Sequence, residues 1–205
     1  MSMNQQATAV FDFWFQPAAG QAADATRREW FQKNDDFDRE IASRFGPLIG
    51  QALAGGLQAW DAEGPQSALA RILVLDQFCR NVHRGTPLAF AGDPQALRAA
   101  QKMVEAQQDL ALPPLQRAFV YLPFEHAEDM ALQEQAVALY TGMADAGRGT
   151  TSPATSQAIA GMLDFAERHR EVIRRFGRFP HRNAILGRAS TPEEQAYLLQ
   201  PGSGF

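Results

Sequence analysis

An all-α fold is predicted by three observations: apolar residues recur at helical spacing along most of the chain, helix-start and helix-stop residues punctuate it, and no window alternates as a strand. The first element is an aromatic stripe, Val10, Phe11, Trp14 and Phe15. Phe37, Ile41 and Phe45 repeat the i, i+4, i+8 spacing of a buried helix face. A strongly apolar helix follows over 67–82, where Leu69, Ile72, Leu73, Leu75 and Cys79 are apolar. Asp93-Pro94 reads as an N-cap followed by proline at the first helical position, opening a helix to about Gln108. Pro113-Pro114 starts the next helix, which Pro123 is expected to break, and a further helix is expected over 124–140. Residues 141–156, rich in Gly, Ser and Thr, read as a flexible loop. A long helix after Pro153 carries Met162, Phe165, Ala166, His169, Val172, Ile173 and Phe176, with Gly177 as its C-terminal cap. Thr191-Pro192-Glu193-Glu194 is a capping box that opens a last short helix through Tyr197 and Leu198. The expectation is one domain over 1–205, eight to ten helices stacked in antiparallel pairs as a compact bundle. No repeat at the 34-residue spacing of tetratricopeptide arrays is visible in the chain.

Charge limits the partners. The 205 residues carry 19 basic and 23 acidic side chains, a net charge of -4, which argues against general affinity for nucleic acid or anionic membrane. The basic groups are unevenly placed: 168–188 holds seven arginines and one acid, Glu171. Only Lys33 and Lys102 are lysines, so the cationic chemistry is that of guanidinium, which suits bidentate capture of carboxylate or phosphate. The single Cys79 excludes an internal disulfide and a cysteine metal cluster, and the amino terminus lacks a basic, apolar leader. A cytoplasmic setting with no membrane span is the expectation.

Two segments concentrate polar groups beside proline-directed turns: Tyr121–Asp129, with Glu125, His126, Glu128 and Asp129, and Arg174–Arg188, with Arg178, His181, Arg182 and Asn183. They are expected to meet. His126 and His181 stand where an imidazole is positioned and its protonation tuned, whereas His169 falls in an apolar stripe and His83 at a helix end. Glu125 and Asp129 form a repelling i, i+4 pair unless a cation intervenes, and the first turn of a helix is the competing account of the acidic cluster. Asp76 and Arg80 are an i, i+4 pair, and Gln77, Arg80 and Arg84 are expected to share a face. A solvated ion-pair lattice competes with any functional reading of these arginines. His126, His181, Glu128 and Asp129 could ligate a metal, but no His-Glu-x-x-His or Glu-x-x-His pattern supports one, and no cofactor is expected. The Gly142–Gly149 run lacks the Lys-Ser/Thr of a phosphate-binding loop, and no Gly-x-Ser-x-Gly elbow is present.

Several strings together resemble the bacterial domain-of-unknown-function family 924: Asp12-Phe13-Trp14-Phe15, Leu75-Asp76-Gln77-Phe78 with Arg80-Asn81 and Arg84-Gly85, Phe90-Ala91 with Asp93, Tyr121-Leu122-Pro123-Phe124 with His126 and Glu128-Asp129, and Arg175–Asn183 with Leu186-Gly187-Arg188. The resemblance covers nearly the whole chain. It implies a tetratricopeptide-like right-handed superhelix of stacked helix pairs and brings no activity, substrate or cofactor with it. Ala127 departs from the serine common at that place in the family, so no role of that hydroxyl carries over.

The leading expectation is a binding module whose cleft, lined by Gln77, Arg80, Arg84, His126, Glu128, Arg178, His181, Arg182 and Asn183, takes a small anionic ligand or an acidic peptide end. One alternative is a hydrolase-type enzyme with His126 or His181 as general base. Another is a structural or interaction scaffold in which both segments only lock helices together. The aromatics near the amino terminus could serve a homodimer as easily as a core.

Overall fold

The computed structural model describes residues 3–17, 20 and 25–204. Among them are eight helices and no strands, if the apolar helix over 65–82 is counted once. In order these are α1 (Gln5–Phe15), α2 (Asp35–Leu53), α3 (Pro65–Leu73) continuing through a π-helical turn (Val74–Phe78) into α4 (Cys79–Val82), α5 (Asp93–Glu105), α6 (Pro114–Glu125), α7 (Met130–Gly147), α8 (Pro153–Phe176) and α9 (Pro192–Leu198). Short 3-10 turns, among them Gln58–Ala62, Pro87–Phe90 and Pro180–Arg182, punctuate the connections.

The core forms where the expected stripes meet. Trp14 is fully buried and its ring contacts those of Trp30, Phe37, Phe78 and Phe119 at centroid distances of 6.3, 5.8, 5.7 and 5.6 Å. Phe37, Ile41 and Phe45 of α2 are buried as their spacing predicts. The α3 stretch packs between α1 and α5, α5 leads on to α6, and α6, α7 and α8 contact one another. A second, smaller cluster of Val172, Ile173 and Phe179, joined by Met130, Phe176 and Tyr197, fastens the chain after α8 to the main body.

Local signals set several ends as expected. Gly177 adopts φ 69° and its N–H meets the Ile173 carbonyl, and Thr191 with Glu194 completes both halves of the capping box. Two boundaries differ from the sequence reading. Pro123 lies inside α6, which continues to Glu125 before the chain turns; Pro123 is buried in the last turn, where it forfeits one backbone bond and packing by several neighbouring helices offsets that loss. The expected loop over 141–156 is mostly helix, since α7 runs to Gly147 and α8 begins at Pro153 with Ser152 as its cap. Among the described residues no helix is long and apolar enough to cross a membrane.

Candidate functional site

The centre is assembled around the π-helical turn. Inserting one extra residue into the helical ladder at Val74–Phe78 re-aims the side chains beyond it, a feature found often at functional sites. Asp76, within the turn, is only 1% exposed and follows the buried apolar run Ile72–Leu75. One oxygen of Asp76 accepts from the Arg80 guanidinium at 2.8 Å and from His126 Nδ1 at 2.7 Å, and the other accepts from the Gln77 amide. Burial would push this carboxyl up, but Arg80 and His126 outweigh it and hold it well below the usual carboxylate range. With Nδ1 donating to Asp76, the Nε2 of His126 carries the lone pair. Burial, reinforced by the Arg80 charge, lowers the His126 pKa, so the ring is neutral near pH 7.

Arg80 reaches onward to Asp93 at 2.8 and 3.0 Å. Asp93 is not the side-chain cap of α5 that its place before Pro94 suggests: the helix begins at Asp93 itself, and its capping position is Gly92, which has no side chain. A second cation converges on Asp93. Arg182, 6% exposed, lies between the rings of Phe90 and Phe179, 4.7 and 4.5 Å from their centroids, and its nearest carboxylate oxygen is on Asp93 at 3.5 Å. Its Nε has no hydrogen-bond partner. Burial and the adjacent Arg80 charge bring the Arg182 pKa down to about 10.

A row of rings extends the centre. His126 stands 6.3 Å from His169, His169 is 5.4 Å from Phe179, and Phe179 is 5.6 Å from His181. His169 is buried in the α8 stripe as expected and pairs with the buried Glu125 at 3.0 Å. The His181 pKa falls to about 4, chiefly through burial and then through the Arg182 charge. The consequence for stability has a definite sign. Between pH 6.5 and 4 the unfolded chain binds the His181 proton that the folded chain refuses, so acidification through this window destabilises the fold by on the order of 2 kcal/mol. Urea midpoints measured at pH 7.5 and pH 5 should show this loss, and His181→Gln should flatten it; an unchanged pH profile in that variant would mean that His181 is not its source.

The two polar segments do meet. Glu128 receives both terminal nitrogens of Arg188 at 2.6 and 2.8 Å and the backbone N–H of Phe179 at 2.8 Å. The three clustered acids take different partners. Glu125 turns inward to His169, Glu128 takes Arg188, and Asp129 caps α7 through the Leu132 N–H at 3.0 Å. The repulsion expected between Glu125 and Asp129 on one helix does not arise, since the chain leaves the helix after Glu125.

Of the residues singled out in the sequence, Gln77, Arg80, His126, His181 and Arg182 gather around the centre, with Glu128 on its border. Arg84 does not share their face: it is paired with Asp38 of α2 at 2.6 Å. Arg178 is held by Glu194 at 2.7 and 2.8 Å, and Glu194, 2% exposed, also accepts from the fully buried Asn183 at 3.2 Å. Asn183 further binds Ser190 and Arg188, so its amide is committed within the protein. Arg178, together with the Thr191 N–H and Asn183, brings the Glu194 pKa down to about 2. Sequence reasoning missed Asp93 and Arg188 as site residues and saw Asp76 only as half of a helix pair; the visible signal was an acid directly after the apolar run Ile72–Leu75. Burial pushes the Cys79 thiol up to about 12, which leaves it protonated and unreactive. Among the described residues no three His, Cys, Asp or Glu side chains are grouped to hold a metal ion.

Paired acids and bases in this arrangement can do two things: hold an anion on guanidinium, or pass a proton through the Asp76–His126 pair. Comparison with known proteins does not choose between them. No curated protein matches the chain. A protein of unknown function from Agrobacterium tumefaciens, ATU0120, has a similar structure, with 39% sequence identity and a TM-score of 0.76 over 95% of this chain and 97% of that one. A family described as bacterial protein of unknown function (DUF924) matches residues 10–202, and the chain therefore belongs to the DUF924 family.

Proposed function

We propose that the protein is a binding module whose centre takes the carboxylate of a small organic acid or an acidic peptide end on Arg182. The observation that carries this reading is the under-neutralised state of that guanidinium: it is 6% exposed, shares Asp93 with the stronger partner Arg80, and leaves Nε unsatisfied. A buried cation without full compensation costs several kcal/mol, and a ligand carboxylate supplies what is missing. His126 and His181, both neutral near pH 7, add acceptor and donor nitrogens without adding charge. Arg178 and Arg84, already paired at the periphery, take no part. The short turns joining α6, α7 and α8 favour antiparallel neighbours and support reading the stack as tetratricopeptide-like.

Calorimetric titration with acetate, succinate and citrate at low ionic strength tests the reading. Saturable binding is expected for at least one of them, at least tenfold weaker in Arg182→Gln protein, a change of about 1.4 kcal/mol. Arg178→Ala should leave the affinity unchanged. Absence of saturable binding by the wild-type protein, or full affinity in the Arg182→Gln protein, would sink it.

A second reading rests on the 2.7 Å contact between Asp76 and His126 Nδ1, an orientation suited to general-base chemistry at Nε2. Under that reading His126→Gln abolishes turnover of a bound substrate while its affinity persists.

A further inference from the structure

We infer that a separate cavity, bordered by the Gln58–Ala62 turn, α3 and α5, is a binding site for a small phosphate monoester. The cavity has a volume of about 350 Å³ and is lined by Gln58, Asp61, Arg71, Gln95, Arg98 and Lys102 together with two alanines. Three cations thus face one acid. Asp61 is already taken, since both of its oxygens accept from one terminal nitrogen of Arg71 at 2.9 and 2.8 Å.

Two charges remain uncompensated, and their isolation is specific to this place. Among the described residues, which include all 19 lysines and arginines, Arg98 and Lys102 are the two whose side chains have neither a hydrogen bond nor an ion pair nor an aromatic partner. They stand four apart on α5, where like charges repel by a few tenths of a kcal/mol, and no acid is placed between them. Beneath them Arg71, 5% exposed, keeps a buried Nε–H without an acceptor. The site therefore offers two free positive charges and one orphaned buried donor.

A phosphate monoester meets each of these. It carries close to two negative charges at pH 7 and several strong acceptor oxygens. The cavity lies in the size range of small-ligand sites, larger than the phosphate group alone requires. The glutamines give the remainder of the molecule its polar contacts: Gln95 spends its amide nitrogen on the Leu53 carbonyl at 2.8 Å, which leaves its oxygen as an acceptor.

Calorimetric titration of the full-length protein with phenyl phosphate, inorganic phosphate and succinate at low ionic strength tests the site. Phenyl phosphate should bind saturably. The double substitution Arg98→Gln with Lys102→Gln should weaken it at least tenfold without lowering Tm, because both side chains are exposed and make no bond to lose. Arg182→Gln should leave phenyl phosphate binding intact, which separates this site from the carboxylate site proposed above. No saturable binding of phenyl phosphate, or equal binding by the double variant, overturns the site. Loss of binding in the Arg182→Gln protein assigns the phosphate to the other centre and overturns it too. Equal affinity for inorganic phosphate overturns the assignment to an ester.

Discussion

Asp76→Ala should cost the fold roughly 3–5 kcal/mol, which for a chain of this size lowers Tm by roughly 10 °C. The cause is what the substitution leaves behind. Asp76 is 1% exposed and serves three donors at once, the Arg80 guanidinium, the His126 Nδ1 and the Gln77 amide. Removing the carboxylate strands donors that are largely shielded from water, and a stranded donor of that kind is more costly than a pair is beneficial. Arg80 retains Asp93, so the charge is not wholly abandoned and the loss stays below that of an isolated buried cation. Asp76→Asn separates the contributions: it keeps the shape of the side chain but not its charge, and should recover less than half of the loss. Asp164→Asn is the internal comparison, because the Asp164–Arg168 pair is more than half exposed on both sides and exposed pairs contribute little. Urea unfolding of the three variants measures all of this; an Asp76→Ala protein as stable as Asp164→Asn would mean that the buried network contributes nothing.

Gly92→Ala should be comparably destructive, by roughly 3 kcal/mol, for a steric reason. A Cβ at Gly92 would lie 2.0 Å from the Leu75 carbonyl oxygen and 2.8 Å from its carbon. Both are backbone atoms of the π-helical turn, so no side-chain rotation relieves the clash, and overpacking of this kind exceeds the usual range of roughly 1–3 kcal/mol for added methyl groups or lies at its top. Backbone φ at Gly92 is -84°, which any residue adopts; the glycine is needed for proximity alone. Forcing the chains apart also moves Asp93, the next residue, away from Arg80 and Arg182. The variant should therefore lose stability and, under the proposed function, carboxylate binding with it, whereas Gly142→Ala, which meets nothing within 4 Å inside α7, should be neutral or slightly stabilising. Equal stability of Gly92→Ala and wild-type protein by urea unfolding would show that α5 and the π-helical turn can part without cost.

The candidate site is legible in the sequence in outline and not in its pairing. That Tyr121–Asp129 and Arg174–Arg188 meet follows from their complementary charges beside two turns, and Glu128 with Arg188 realises it. Which arginine serves which acid does not follow. Helical spacing sets Arg84 beside Arg80, yet it stands on Asp38; Arg178, expected in the cleft, secures Glu194. On a regular helix Gln77, Arg80 and Arg84 share a face, but α4 ends at Val82 and His83 leaves the helical conformation at φ -111°, so Arg84 falls outside the helical register.

The sequence by itself determined the all-helical class and most helix positions, because periodicity, the Thr191–Glu194 capping box and the Gly177 cap act over three or four residues and need no distant partner. The strings that carry the family resemblance likewise lie in the sequence alone. Only the tertiary structure decided the continuation of α6 through Pro123, the π-helical turn and the ion-pair assignments. The ion pairs depend on contacts between residues well separated in the chain, such as Arg178 with Glu194 at 16 positions, His126 with Asp76 at 50 and Arg182 with Asp93 at 89. Burial sets the strength of such contacts, and burial exists only once the helices have packed.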